Sequence, residues 1–228
     1  MDADATLRML WLASPTLPVG GFSYSEGLEA AVDAGCVGDE ARTLDWLRGQ
    51  LQLTLARSEL PALLRAHAAW RALDVDGLRQ VNDWVLATRE SAELRQQSLQ
   101  MGRSLLAWLH GLQPRHPALP LAAQLPPAVC WTPAFALAAH ALELDAAQAA
   151  QALAFSWLDN QVQAALRCVP LGQSAGQRLL AALTPDLPAA LRQAQALAGD
   201  IDRWQSYSPR LAILSSRHET QYSRLFRS

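Results

Sequence analysis

The stretch SAELRQQSLQMGRSLLAWLHGL, residues 91–112, has the clearest helical spacing in the chain. Its apolar positions recur at steps of three or four residues: Leu94, Met101, Leu105, Trp108 and Leu112, with Ser98 filling the one gap. This spacing places the apolar side chains on one face of a helix. We therefore expect a helix that begins with a charged turn and packs its apolar face on the protein core.

The rest of the chain has the same helical character. Alanine, leucine and glutamine dominate, β-branched residues are sparse, and no segment alternates apolar and polar residues over the length of a strand. The sequence predicts an all-α fold, a single globular bundle of roughly eight to ten helices. Within it, Pro61 is expected to break or kink a helix, and the proline-rich residues 113–130 form a long irregular connection.

Composition excludes several classes of function. The formal charge of −2 provides no global basic field, which argues against nucleic-acid binding as the main task. Cys36, Cys130 and Cys168 are odd in number and widely spaced, which fits a reducing cytoplasm better than a disulfide framework. No apolar stretch approaches the length of a membrane span. We expect a cytoplasmic protein that contacts no membrane.

The opening loop LPVGGFSYSEGLE, residues 17–29, contains many local structural signals. Ser23 and Glu26 have the spacing of a capping box, which predicts that a helix starts at Ser23. That helix should end at Gly35, a residue suited to a C-cap. A loop on a rigid helix start would hold Phe22 and Tyr24 out for a partner.

Catalytic and metal motifs are weak in this sequence. Gly21 to Ser25 nearly matches the G-x-S-x-G nucleophile elbow, but its last residue is not glycine and no strand precedes it. A serine hydrolase using Ser23 is kept only as an alternative. No histidine stands four residues from another histidine or cysteine, so we expect no metal site, and no phosphate-binding loop is present.

The chain end is the second informative region. We divide the chain into an all-helical domain, residues 1–208, and a C-terminal partner-binding tail, residues 209–228. The tail combines Tyr222, Leu225 and Phe226 with arginines, a composition typical of interface anchors. Such a tail either packs on its own domain or becomes ordered on contact with a partner, and the sequence leaves both open.

Five motifs together resemble the urease accessory protein UreF family. They are LASPTLPVGGFSYSEGLE, TRESAELRQQSLQMGRSL, WLDNQVQAAL, VPLGQSAGQ and HETQYSRLFRS, and in this order they extend from Leu12 to Ser228. The resemblance implies an all-α homodimer without catalytic activity of its own. It also implies a role in assembling the nickel centre of urease, by binding UreD and recruiting the GTPase UreG to apo-urease. Nickel would be handled transiently by the complex, GTP would be bound by UreG, and this chain would hold no stable cofactor.

The resemblance also implies where UreD binds. The residues carried over by motif are Phe22, Tyr24, Glu26, His218, Glu219, Tyr222, Ser223 and Arg224. The family often has glutamine where this chain has Glu26. Two mechanisms remain open: a scaffold that holds UreG for nickel delivery, with a passage for nickel through the complex, or regulation of GTP hydrolysis, with Arg224 as an arginine finger in trans.

Overall fold

The computed structural model describes residues 3–206 and 208–228, and these residues form an all-α bundle without strands. The helices are α1 Ala3–Leu12, α2 Leu28–Asp33, α3 Glu40–Gln50, α4 Leu60–Ala72, α5 Val75–Ala87, α6 Ala92–Leu112, α7 Leu119–Ala122, α8 Trp131–Ala141, α9 Ala146–Cys168, α10 Gln173–Leu183, α11 Leu187–Leu197 and α12 Pro209–His218. Ten of these helices in the described part of the chain have ten residues or more. The predicted fold class is confirmed.

Helix α8 lies at the centre of the bundle. Helices α4 and α6 both pack on it, and α9 packs on α8, α4 and α10. The side chains of Phe135 and Leu137 in α8 are fully buried, and the alanines around them let neighbouring helices approach closely. The apolar face predicted for residues 91–112 is confirmed in its first part, where Leu94, Met101 and Leu105 are buried. It is wrong at its end, because Leu112 is 46% exposed and Leu109, which was not predicted, is fully buried.

Gly102 sets the distance between α6 and the chain that leads into α8. A Cβ atom at this position would overlap the carbonyl oxygen of Val129 and lie 2.8 Å from the carbonyl carbon of Cys130. Two further bonds hold this segment: Cys130 N donates to Asn82 Oδ1 over 2.9 Å, and Trp131 N donates to Ser98 Oγ over 3.3 Å. Only a glycine permits this approach of two backbones.

The chain remains helical through Pro61, so of the predicted break or kink the break is wrong. Between α3 and α4, residues Leu51–Glu59 form a π-helical segment, and Pro61 lies in the first turn of α4. Proline has no amide hydrogen for the usual bond to the residue four positions earlier. Arg57 O, the carbonyl that Pro61 leaves without a helical donor, accepts instead from Gln205 N over 3.1 Å.

Helix α12 and the last residues pack on the same core as the rest of the chain. Helix α12 contacts α2 and α6, and Leu211, Leu214 and Phe226 belong to the hydrophobic core. The segment 219–228 contains no helix or strand. The tail therefore lies on its own domain in this structure, which brings it next to the opening loop.

Candidate functional site

The opening loop does not have the predicted capping box. Gly21–Ser23 form a single 3₁₀ turn, and α2 begins five residues beyond Ser23, at Leu28. Glu26 and Gly27 both adopt positive φ angles, of 51° and 79°, which no helix interior tolerates. The prediction of a helix starting at Ser23 is wrong, whereas its end is confirmed, because Gly35 at φ 68° follows the last turn of α2.

Ser25 takes the capping role that the sequence assigned to Ser23. The Ser25 hydroxyl accepts a hydrogen bond from Glu29 N over 3.2 Å, in the first turn of α2. The same hydroxyl donates to Ser228 O over 2.6 Å, and Ser25 N also donates to this oxygen over 2.8 Å. The start of α2 is therefore tied directly to the end of the chain.

The Glu26 carboxylate points into the protein instead of toward Ser23. Gln97 Nε2 donates to Glu26 Oε1 and Trp157 Nε1 donates to Glu26 Oε2, each over 2.9 Å. Burial raises the pKa of Glu26, and the Trp157 hydrogen bond opposes this shift. A glutamine at this position would keep one acceptor oxygen and remove the buried charge.

Two cavities of about 70 and 110 Å³ adjoin Glu26. Both are lined by Glu26, Gln97, Met101, Trp131, Leu153 and Trp157. The first cavity also reaches Arg89, whose guanidinium pairs with Glu59 at 2.7 Å, and Thr132 donates a hydrogen bond to the same carboxylate. The second reaches Phe22 and the α1–α2 connection. Glu26 therefore lines both the cavity that reaches the Arg89–Glu59 pair and the cavity that reaches the opening loop.

The tail runs along the opening loop and bonds to its main chain. Arg227 N donates to Ser23 O over 2.8 Å, and the Ser228 hydroxyl donates to Gln97 Oε1 over 2.7 Å. Arg167 of α9 joins the two segments, because its Nη1 donates to Phe22 O over 2.8 Å while its guanidinium carbon lies 4.4 Å from the centre of the Phe226 ring. Loop and tail thus form one continuous unit.

A series of polar and charged side chains holds the tail on the folded body. Glu29 accepts hydrogen bonds from the main-chain amides of Leu225 and Phe226, over 2.7 and 2.9 Å. His218 lies between two carboxylates, with Nε2 at 3.1 Å from Glu29 Oε2 and Nδ1 at 2.6 Å from Glu93 Oε2. Each ring nitrogen of His218 therefore faces a carboxylate oxygen within hydrogen-bond distance. This series of side-chain contacts ends at the surface, where Arg224 Nη1 donates to Glu93 Oε1 over 2.6 Å.

The predicted partner-binding residues fall into an exposed group and a buried group. Phe22 is 68% exposed and Tyr222 is fully exposed. The expectation that Tyr24 stands out from the loop is wrong, because its side chain is only 6% exposed. His218 is also buried, and with Glu26 it supports the surface from within.

The remaining predicted residues lie in the tail at the surface. Glu219 is exposed and accepts a hydrogen bond from Ala92 N over 2.8 Å, at the first turn of α6. Ser223 and Arg224 are exposed as well. Together with Phe22, Tyr222 and Leu225, these residues form what we call the loop–tail surface. Its assignment as a partner-binding surface stays a prediction.

Sequence reasoning missed the residues that hold this surface together. Glu29, Gln97 and Arg167 make the contacts between the two segments, yet none was selected as a site residue. Glu29 is a charged residue between Leu28 and Ala30 in an otherwise apolar turn, and it is only 6% exposed. A charged residue among apolar ones indicates a buried carboxylate, and a buried carboxylate requires hydrogen-bond partners. The sequence offered this indication for Glu29.

Ser23 and the side-chain types that bind metals are the remaining groups considered for chemistry in the sequence. Ser23 follows no strand in the described part of the chain, and its carbonyl is engaged by the tail. Within residues 3–206 and 208–228, no three His, Cys, Asp or Glu side chains are arranged to hold a metal ion. None of the helices in these residues is both long and apolar enough to cross a membrane.

Comparison with known proteins gives the family of the chain. A sequence model of the UreF family matches residues 37–184 of the chain. This chain belongs to the UreF family. Urease accessory protein UreF of Methylibium petroleiphilum is 55% identical over 228 residues, covering 99% of this chain and 95% of that protein. UreF of a Polaromonas species is 52% identical over 231 residues, covering 100% and 97%.

A fused relative shows UreF in a second context. The bifunctional urease accessory protein UreEF of Bordetella bronchiseptica is 47% identical over 231 residues, which cover 100% of this chain and 53% of that protein. The UreF part of that protein is therefore joined to a further segment of similar length. The similarity of these UreF relatives extends over both the opening loop and the tail of this chain.

Proposed function

We propose that this chain is a non-catalytic scaffold in the maturation of the urease nickel metallocentre, which binds UreD and recruits the GTPase UreG to apo-urease. Membership of the UreF family supports the accessory role. The observation that carries the proposal is the loop–tail surface, where apolar side chains project from a main chain that is fixed by hydrogen bonds.

The loop–tail surface exposes three large apolar side chains to solvent. Phe22 and Leu225 are 68% and 62% exposed, and Tyr222 is fully exposed. Aromatic side chains and arginines are enriched among the residues that dominate binding energy at protein interfaces. Arg224 belongs to the same surface, and its hydrogen bond to Glu93 orients the tail. The composition fits a protein partner, which we take to be UreD.

The alternative role for Arg224, as an arginine finger for UreG, has less support. Its guanidinium already donates to Glu93 Oε1, and Glu93 is in turn bonded to His218. An arginine finger has to reach the phosphates of a bound nucleotide. In the described structure the Arg224 side chain orients the tail instead. Arg224→Ala should therefore weaken UreD binding, whereas slower GTP hydrolysis with intact binding would favour the regulatory role.

Nickel is the cargo in this proposal and not a resident cofactor. The UreD–UreF–UreG assembly handles the ion transiently, and GTP is bound by UreG. The chain acts in the cytoplasm as a homodimer. Titration calorimetry of the purified chain should show no tight nickel binding, and a tight stoichiometric site would instead indicate a self-sufficient nickel chaperone. A fluorophosphonate probe should leave Ser23 unmodified, and labelling there would support the hydrolase alternative.

Activation of apo-urease tests the scaffold role. Apo-urease is mixed with UreD, nickel-loaded UreG and GTP, with or without this chain, and urease activity is measured over time. We expect activation to depend on this chain and to fall when Leu225 is replaced by aspartate. Leu73→Asp is the matched control, because Leu73 is 51% exposed in the α4–α5 turn. Equal activation without this chain would contradict the proposal.

A further inference from the structure

Glu29 connects the tail to the folded body at two consecutive amides. Its two carboxylate oxygens accept from Leu225 N and Phe226 N, and the carboxylate itself is 8% exposed. Hydrogen bonds to a charged acceptor are shorter and stronger than neutral ones, and burial increases their strength. No other side chain in the described residues bonds two successive amides of the tail.

The docked tail keeps its recognition side chains outward. Phe226 is 4% exposed and is covered by Arg167, whereas Leu225 and Tyr222 remain exposed. If docking of the tail blocked partner binding, the apolar side chains of the tail that contact the partner would be buried. Here docking buries only the residue that fastens the tail and leaves the others facing solvent.

We infer that Glu29 is a positioning residue that preforms the loop–tail surface by clamping residues 225–226, so that the partner binds an ordered surface. The inference rests on the proposed function, because it gives the partner as UreD. His218 and Glu93 extend the clamp to Arg224 through three further contacts between side chains. A preordered surface binds more tightly because less conformational entropy is lost on association.

The test separates tail docking from partner binding. Hydrogen exchange of the C-terminal peptide is measured by mass spectrometry in the full chain, free and without UreD, for wild type and Glu29→Gln. The amide of glutamine presents one acceptor in place of two, so exchange at Leu225 and Phe226 should accelerate at least about tenfold. The control is Glu40→Gln, which alters a surface carboxylate paired with Arg178 and should leave tail exchange unchanged. Unchanged tail exchange in Glu29→Gln would overturn the inference.

The affinity for UreD is then measured with the same variants by titration calorimetry. Weakening of about tenfold or more in Glu29→Gln, with Glu40→Gln equal to wild type, supports a preformed surface. Tighter binding of UreD to Glu29→Gln would overturn the inference, because it would mean that docking blocks the surface. If tail exchange accelerates while UreD affinity is unchanged, the clamp exists but its role in binding is refuted. If wild type itself does not bind UreD, the proposed function fails, and the exchange result for the clamp still stands.

A second variant covers the case in which Glu29→Gln does not fold. Leu225→Pro removes one of the two amide donors from the tail and leaves Glu29 in place. Leu225 is exposed, so the core is not altered. Exchange in residues 226–228 should accelerate as in Glu29→Gln, with the far-ultraviolet circular dichroism of wild type. Unaltered exchange in this variant would also count against the clamp.

Discussion

Replacing Gly102 by alanine should destabilise the whole bundle. The new Cβ would overlap the carbonyl oxygen of Val129 and lie 2.8 and 3.1 Å from the carbonyl carbon and Cα of Cys130. All three are backbone atoms, so no flexible side chain can move aside. The segment cannot shift freely either, because Cys130 N is held by Asn82 and Trp131 N by Ser98.

The expected size of the effect follows from two opposing contributions. Inserting a methyl group into a tight contact typically costs about 1–3 kcal/mol. Alanine is a better helix former than glycine by about 1 kcal/mol, which offsets part of that cost. Because the contact is between backbones, we place the loss at the upper end, roughly 2 kcal/mol net of the helix gain. For a chain of this length, each kcal/mol shifts the melting temperature by about 2–4 °C.

Thermal unfolding followed by circular dichroism measures this loss, with urea unfolding as an independent check. Gly102→Ala should melt roughly 4–8 °C below wild type. Gly111→Ala is the matched control, because Gly111 lies in the same helix and a Cβ there would meet no atom within 4 Å. That variant should melt at or slightly above wild type. Equal melting temperatures for Gly102→Ala and Gly111→Ala would refute the close approach of α6 to residues 128–130.

Three further predictions concern buried polar and titratable groups. Burial lowers the pKa values of His67, His116 and His140, so the unfolded chain binds more protons as the pH falls below about 6.5, and the urea midpoint should drop between pH 7.5 and 5.5. Asn82→Ala removes the acceptor of Cys130 N and the side-chain donor to Ala128 O. Urea unfolding should show that the free energy of unfolding falls by roughly 2–4 kcal/mol. Burial raises the pKa of the Cys130 thiol to about 12, so maleimide at pH 8 should label it only after unfolding, as mass spectrometry would show.

The helices of the bundle were predictable because the residues that determine a helix are close together in the sequence. The apolar spacing of residues 91–112 placed Met101 and Leu105 correctly on the inward face of α6. Predicted helix boundaries were wrong where local and long-range hydrogen bonds competed. At Pro61 the chain changed register instead of stopping.

The opening loop was not predictable because its polar groups have distant partners. The local rule pairs Glu26 with Ser23, but the carboxylate bonds to Gln97 and Trp157, which are 71 and 131 residues away in sequence. Glu29 likewise bonds to amides 196 and 197 residues along the chain. No periodicity links such pairs. The family motifs identified the two segments of the loop–tail surface, whereas the bonds between them emerged only from the structure.

Binding of UreD to the loop–tail surface is the central claim, and titration calorimetry of purified proteins tests it most directly. The double variant Phe22→Asp/Leu225→Asp changes two exposed side chains, so its circular dichroism and melting temperature should equal those of wild type. We predict that this variant binds UreD at least about a hundredfold more weakly than wild type, whereas Leu73→Asp binds normally. Wild-type affinity in the double variant would contradict the account.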